Sequence, residues 1–230
     1  FLFKPPLKEK LEYPTAVDKV PLLQKRELLI LLSFAVAGLI ALVYQMAWTR
    51  ILSLLLGSSV YAFSLILTVF ILGLALGTVI TSGYLSRLTD LVKSYGLNQL
   101  VIGFSALFSI PFFARIPFVN RWVYDNWGQQ FDVMQGANLL TIFGLLFIPT
   151  FFMGAQFPIV IKIMATKLAT VGQSVGRTYA CNTFGTIIGS FLAGFVFIPL
   201  LGLQTTILTA VFLNILLGMA LLIFGAQLNF

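Results

Sequence analysis

Histidine is absent from this 230-residue chain, cysteine occurs once, as Cys181, and charged residues make up only 9% of it. Each shortage removes a class of function. Without histidine there is no imidazole base to activate a nucleophile. With a single thiol, neither an internal disulfide nor a His/Cys metal or haem site can be assembled. No glycine-rich nucleotide loop follows a strand-like segment, and no carboxylate pair has a spacing suited to acid–base work. Asp125 and Asp132 are loop residues with no partner implied. No catalytic residue, cofactor or metal site is expected within the chain. The scarcity of charge carries further. A soluble domain is about a quarter charged, so at 9% this chain could not cover a wetted surface.

What is present is apolar: 59% of residues are hydrophobic and the mean hydropathy is +1.01. Such a chain needs lipid as its solvent. Crossing a hydrocarbon layer of ~30 Å takes ~20 apolar helical residues, and six stretches meet that requirement. They run from about Leu28 to Trp48, Val60 to Leu85, Leu97 to Phe113, Leu139 to Met164, Thr178 to Leu200 and Gln204 to Ala226. The fold expected is therefore all-α, a polytopic membrane protein of about six transmembrane helices. Residues 1–26 form a polar N-terminal segment without the apolar core of a signal peptide. Residues 27–230 form the transmembrane domain.

The charge pattern orients the bundle. Lys4, Lys8, Lys10, Lys19, Lys25, Arg26, Arg87, Lys93, Lys162, Lys167 and Arg177 fall on one side, and only Arg50, Arg115 and Arg121 on the other. By the positive-inside rule the first side is cytoplasmic, and an even number of crossings puts both termini there. The net charge of +7 thus reports orientation, and no nucleic-acid partner is expected. Between the third and fourth spans, about 116–133, lie Trp122, Tyr124 and Trp127 with flanking phenylalanine. Rings of this kind suit the headgroup layer, so an interfacial helix on the outer leaflet is expected; an aromatic ligand box is the sharper alternative.

Small and polar residues mark where helices meet. Gly73 and Gly77 share one face of the second span, and Gly185, Gly189 and Gly194 share a face of the fifth. Such stripes let backbones approach closely, as static packing or as a gliding surface. Pro149 and Pro158 in the fourth span each remove a backbone donor and free a carbonyl one turn earlier, so they are kink or hinge candidates. Thr150 and Gln156 stand close enough to re-satisfy such groups. Tyr44, Gln45, Gln156 and Asn182 form a candidate intramembrane polar site. No Asp, Glu, Lys or Arg lies at the middle of a span, which argues against a proton-driven pump or a polycation carrier.

Several runs together carry a family resemblance. They are Ala41–Arg50 leading into Leu56–Ser64, Leu72–Gly77, Met153–Pro158, Val175–Gly185 and Ile198–Leu203. In this order they resemble the membrane region of bacterial spermidine-synthase-like fusion proteins, a major-facilitator-like part joined to a polyamine synthase domain. The resemblance implies residence in the bacterial inner membrane. It covers the chain from about Leu28 onward and departs at Gln45, where the family commonly has an acid. The six-helix layout also fits half of a major-facilitator bundle. Three functions are therefore expected. The first is a non-catalytic module that anchors or assembles a larger membrane complex, with other membrane subunits and lipid as partners. The second is half of a small-molecule transporter pairing with a second six-helix bundle. The third is the membrane part of an aminopropyltransferase whose catalytic domain lies outside these residues.

Overall fold

The computed structural model describes residues 25–128, 130–165 and 171–228, and every regular element among them is helical. Seven α-helices follow in order: α1 (Lys25–Leu56), α2 (Val60–Tyr84), α3 (Leu91–Phe113), α4 (Ile116–Trp127), α5 (Phe131–Met164), α6 (Val171–Leu192) and α7 (Ile198–Leu228). A 3-10 turn (Leu85–Arg87) follows α2, and a π segment (Ala193–Phe197) joins α6 to α7. The N-terminal segment 1–24, with its basic residues Lys4, Lys8, Lys10 and Lys19, and also Lys167, lie outside the described residues.

Five helical stretches are long and apolar enough to cross a membrane, the last of them running 53 residues from Val171 to Ile223. A straight helix of that length would extend about 80 Å, far beyond a ~30 Å hydrocarbon layer. It is not straight. Gly202 breaks it with φ 78° and ψ 169°, a conformation outside the helical region that glycine tolerates best. The packing register then shows two crossings. On α6, Gly185 meets Ala35 and Gly189 meets Leu39, so α6 runs parallel to α1. On α7, Gly218 meets Leu100 and Gly225 meets Val92, so α7 runs antiparallel to α3.

The ends of the bundle agree with that alternation. Ile30 and Phe34 of α1, Val92 and Tyr95 of α3, Val160 and Met164 of α5 and Leu221 of α7 share one apolar cluster. Trp48 and Leu52 of α1, Ile66 of α2, Phe113 of α3, Ile142 of α5 and Ile207 of α7 share another. The starts of α1 and α3 therefore lie with the ends of α5 and α7. Lys162 closes this end by donating from Nζ to the Leu85 carbonyl at 2.7 Å. Asp90 caps α3 by accepting from the Lys93 amide, which starts the helix at Leu91, a turn and a half before the expected Leu97.

Helix pairing repeats within the chain. The α1–α6 pair has its counterpart in α5–α2, the α1–α7 contact in α5–α3, and α3 packs directly on α7. The same glycine spacing serves both main pairs. Gly73 and Gly77 of α2 receive Thr150 and the Phe151 carbonyl of α5, as Gly185 and Gly189 of α6 receive the carbonyls of Ala35 and Leu39. Because α1 and α5 run in opposite directions, the α1–α2–α3 and α5–α6–α7 triplets form an inverted repeat, with α4 inserted between them. Gly194 differs from its expected role: it sits in the π segment, and a methyl there would meet only the Met46 methyl, at 3.8 Å.

Apolar attraction does not hold helices together in lipid, so close backbone contact has to. A Cβ at Gly77 would lie 1.9 Å from the Phe151 carbonyl oxygen, and one at Gly185 would lie 1.9 Å from that of Ala35. A Cβ at Gly83 or Gly176 would meet nothing within 4 Å. Gly77→Leu and Gly185→Leu are therefore expected to lower stability in mild detergent by about 1–3 kcal/mol or more, the cost of overpacking. Gly83→Leu and Gly176→Leu should leave it nearly unchanged. Size-exclusion thermostability of the four variants distinguishes the two classes.

Candidate functional site

A largely apolar cleft of about 290 Å³, carrying a few polar side chains, opens between α1, α2, α5 and α6. Its polar lining comes from Gln45 of α1, Thr78 of α2, Gln156 of α5, and Asn182 and Thr186 of α6, set among Phe34, Phe70 and Phe157. No Asp, Glu, Lys or Arg lines it. The walls are fixed by the close helix pairs on either side: Gly154 of α5 sits against the Leu74 backbone of α2, and Gly38 of α1 sits against the side chain and carbonyl of Asn182. The Asn182 amide therefore lies on bare backbone, held at a set position in the wall.

Three of the four polar residues singled out from sequence, Gln45, Gln156 and Asn182, meet in this cleft. Tyr44 does not join them. It is fully buried in the core, its ring stacked on Trp48 with centroids 4.8 Å apart. Adjacent helical residues point about 100° apart, so Tyr44 and Gln45 face different surroundings. Neither Tyr44 Oη nor Trp48 Nε1 has a hydrogen-bond partner among the described residues.

A buried amide chain stands behind the cleft. Gln99 Nε2 of α3 donates to Gln156 Oε1 at 2.9 Å. Asn214 Nδ2 of α7 donates to the Gln99 carbonyl and, at 3.2 Å, to Gln99 Oε1. Tyr95 is buried beside Gln99 and Ser33. Asn98, immediately before Gln99 on α3, donates from Nδ2 to the Phe152 carbonyl at 2.8 Å. Gln156 is thus both a wall of the cleft and the end of a line of amides through α5, α3 and α7.

Both prolines lie inside a helix, and the carbonyl that Pro158 frees finds a new donor. α5 runs as one 34-residue helix through Pro149 and Pro158. Pro158 leaves the Gly154 carbonyl without its usual i+4 donor. Thr78 Oγ1 of α2 supplies one, its single proton shared between Gly154 O at 3.0 Å and its own Leu74 O at 2.9 Å. Thr150 Oγ1 donates to the carbonyls of Leu146 and Phe147. In α7, Pro199 is the second residue after the π segment, within the first turn of the helix, where the missing amide costs least.

Comparison of the chain with protein-family profiles, with curated proteins and with solved structures found no match. The cleft therefore has to be read from its own chemistry. It offers amide groups with both donor and acceptor capacity, two hydroxyls whose protons go to backbone carbonyls, three phenylalanine rings and no fixed charge. That lining suits an uncharged solute that makes hydrogen bonds, and it supplies nothing to balance a cation or an anion.

Two residues invisible as site residues in the sequence carry testable energy. Gln99→Leu strands Gln156 and Asn214 and is expected to cost roughly 1 kcal/mol, the scale of an interhelical hydrogen bond in lipid. Thr78→Val removes the donor to the Gly154 carbonyl at a similar cost of about 1 kcal/mol, whereas Thr78→Ser keeps it. Detergent unfolding curves measure both; equal loss in the serine and valine variants would assign the effect to packing.

Proposed function

We propose that this chain is one half of a small-molecule membrane transport unit, closed by a second six-helix bundle across the face of α1, α2, α5 and α6. The observation that carries this reading is the convergence of Gln45, Gln156 and Asn182, from three different helices, on one cleft. Side chains serving only as helix ties would lie at separate contacts. The inverted repeat of helix triplets adds support, since each six-helix half of a major-facilitator transporter is built from such a pair of triplets. The solute is uncharged and hydrogen-bonding, and its passage is not driven by a proton held on a cleft side chain, because none of the lining side chains ionises as a carboxylate or an amine. The unit sits in a bacterial inner membrane with the Lys25, Arg87, Lys93 and Lys162 end in the cytoplasm. The resemblance to the membrane region of spermidine-synthase-like proteins fits this reading, with Gln45 in place of an acid marking a neutral cargo in place of a polyamine.

A second reading is favoured by one observation. A cleft without a coupling charge also suits an anchor or assembly subunit that ties a larger complex to the bilayer. Water access separates the two. In a Cys181→Ser background, single cysteines at Gln45 and Asn182 should react with a charged, membrane-impermeant thiol reagent in native vesicles. A cysteine at Phe195, whose side chain is exposed on the bundle surface, should not. Reaction at 45 and 182 no faster than at 195 would place the cleft against lipid and overturn the transport reading.

A further inference from the structure

A second cavity, of about 370 Å³, lies between α3, α4 and α5, away from the first cleft. We infer that it seats one acyl chain of an anionic phospholipid, with Arg115 at its mouth holding the lipid phosphate. The cavity exists because small residues line two neighbouring helices: Ser105 and Ser109 on α3, Gly144 on α5. A Cβ at Gly144 would meet nothing within 4 Å. The hydroxyls inside it are already spent on their own helices, Ser109 on the Ala106 carbonyl, Ser105 on that of Ile102, and Thr141 on that of Ala137. The lining that remains is apolar, including Phe108, Leu140 and Ile148, all exposed at its edge.

Its dimensions match one leaflet. From Ser105 to Arg115 the wall rises about 15 Å, and from Leu140 to Pro149 about 14 Å, at helical rise. Half of a ~30 Å hydrocarbon layer is about 15 Å. Arg115 is the one charged residue in the lining, and no ion pair involves it among the described residues; the nearby Arg121 pairs with Asp125 at 3.7 Å. Arg115 lies where α3 ends and α4 begins. Trp122 and Trp127 of α4 pack edge-to-face at the same end of the bundle, 5.1 Å between centroids, the position such rings take beside headgroups. A long apolar slot with one cation at its interfacial mouth complements an anionic head on an acyl tail. A zwitterionic lipid would bring its own ammonium to the same point, and a soluble phosphate would leave the slot unfilled.

Native mass spectrometry of the purified chain in mild detergent tests this, with phosphatidylglycerol and phosphatidylcholine of equal chain length added in turn. The wild type should retain one phosphatidylglycerol at about fivefold lower lipid concentration than phosphatidylcholine, the preference one near-surface arginine confers. Arg115→Gln should abolish that preference, and because Arg115 is exposed the variant should fold normally. Gly144→Phe, which fills the slot, should reduce retention of both lipids while Arg121→Gln leaves both unchanged. Equal retention of the two lipids by the wild type, an unchanged preference in Arg115→Gln, or equally tight retention of inorganic phosphate alone would overturn the inference.

Discussion

Backbone contact between helices is the constraint on which the rest depends. In water, a bundle is assembled by withdrawing apolar side chains from solvent; in lipid that gain is missing, and van der Waals contact has to replace it. Gly77 against the Phe151 carbonyl and Gly185 against the Ala35 carbonyl are the closest approaches of their kind here. They join α2 to α5 and α1 to α6 without side chains between them. The cleft is a by-product of this arrangement. Two tight pairs leave a seam between them, and the seam collects the amides of Gln45, Gln156 and Asn182.

The amides are costly to place there and are placed with care. Gln156 is tied back to Gln99, and Gln99 to Asn214, so that a polar line passes from the cleft into the α3–α7 contact. Asn182 is seated on Gly38. A polar group at membrane depth that lacks a partner is expensive, and these attachments reduce that cost while fixing where each amide sits.

Much of this was legible in the sequence because lipid imposes length and periodicity. The all-helical fold, the spans, the glycine stripes of α2 and α6, and the aromatic segment that becomes α4 can each be read from residue type and spacing. What escaped depended on partners far apart in the chain. Thr78 looks like an ordinary small polar residue until Pro158, on another helix, is seen to expose the carbonyl it reaches. Gln99 lies only two residues inside a span that begins at Leu97, which hides it among helix-end residues; the Asp90 cap starts α3 at Leu91 and carries Gln99 well into the helix. Tyr44 was grouped with Gln45 for its chemistry, yet one residue of helical rotation puts it in the core. The break at Gly202 falls in the gap that the sequence leaves between the spans Thr178–Leu200 and Gln204–Ala226, although the helix is otherwise continuous from Val171 to Ile223.

The Thr78 hydroxyl has a mechanical consequence. It grips Leu74 and Gly154 at once, in the same stretch where Gly77 and Gly154 bring the α2 and α5 backbones together. Sliding α5 along α2 by a turn would break that hydrogen bond and drive backbone into backbone, so the contact resists shear between the two helices. The carbonyl that Pro158 frees is thereby the point at which α2 holds α5.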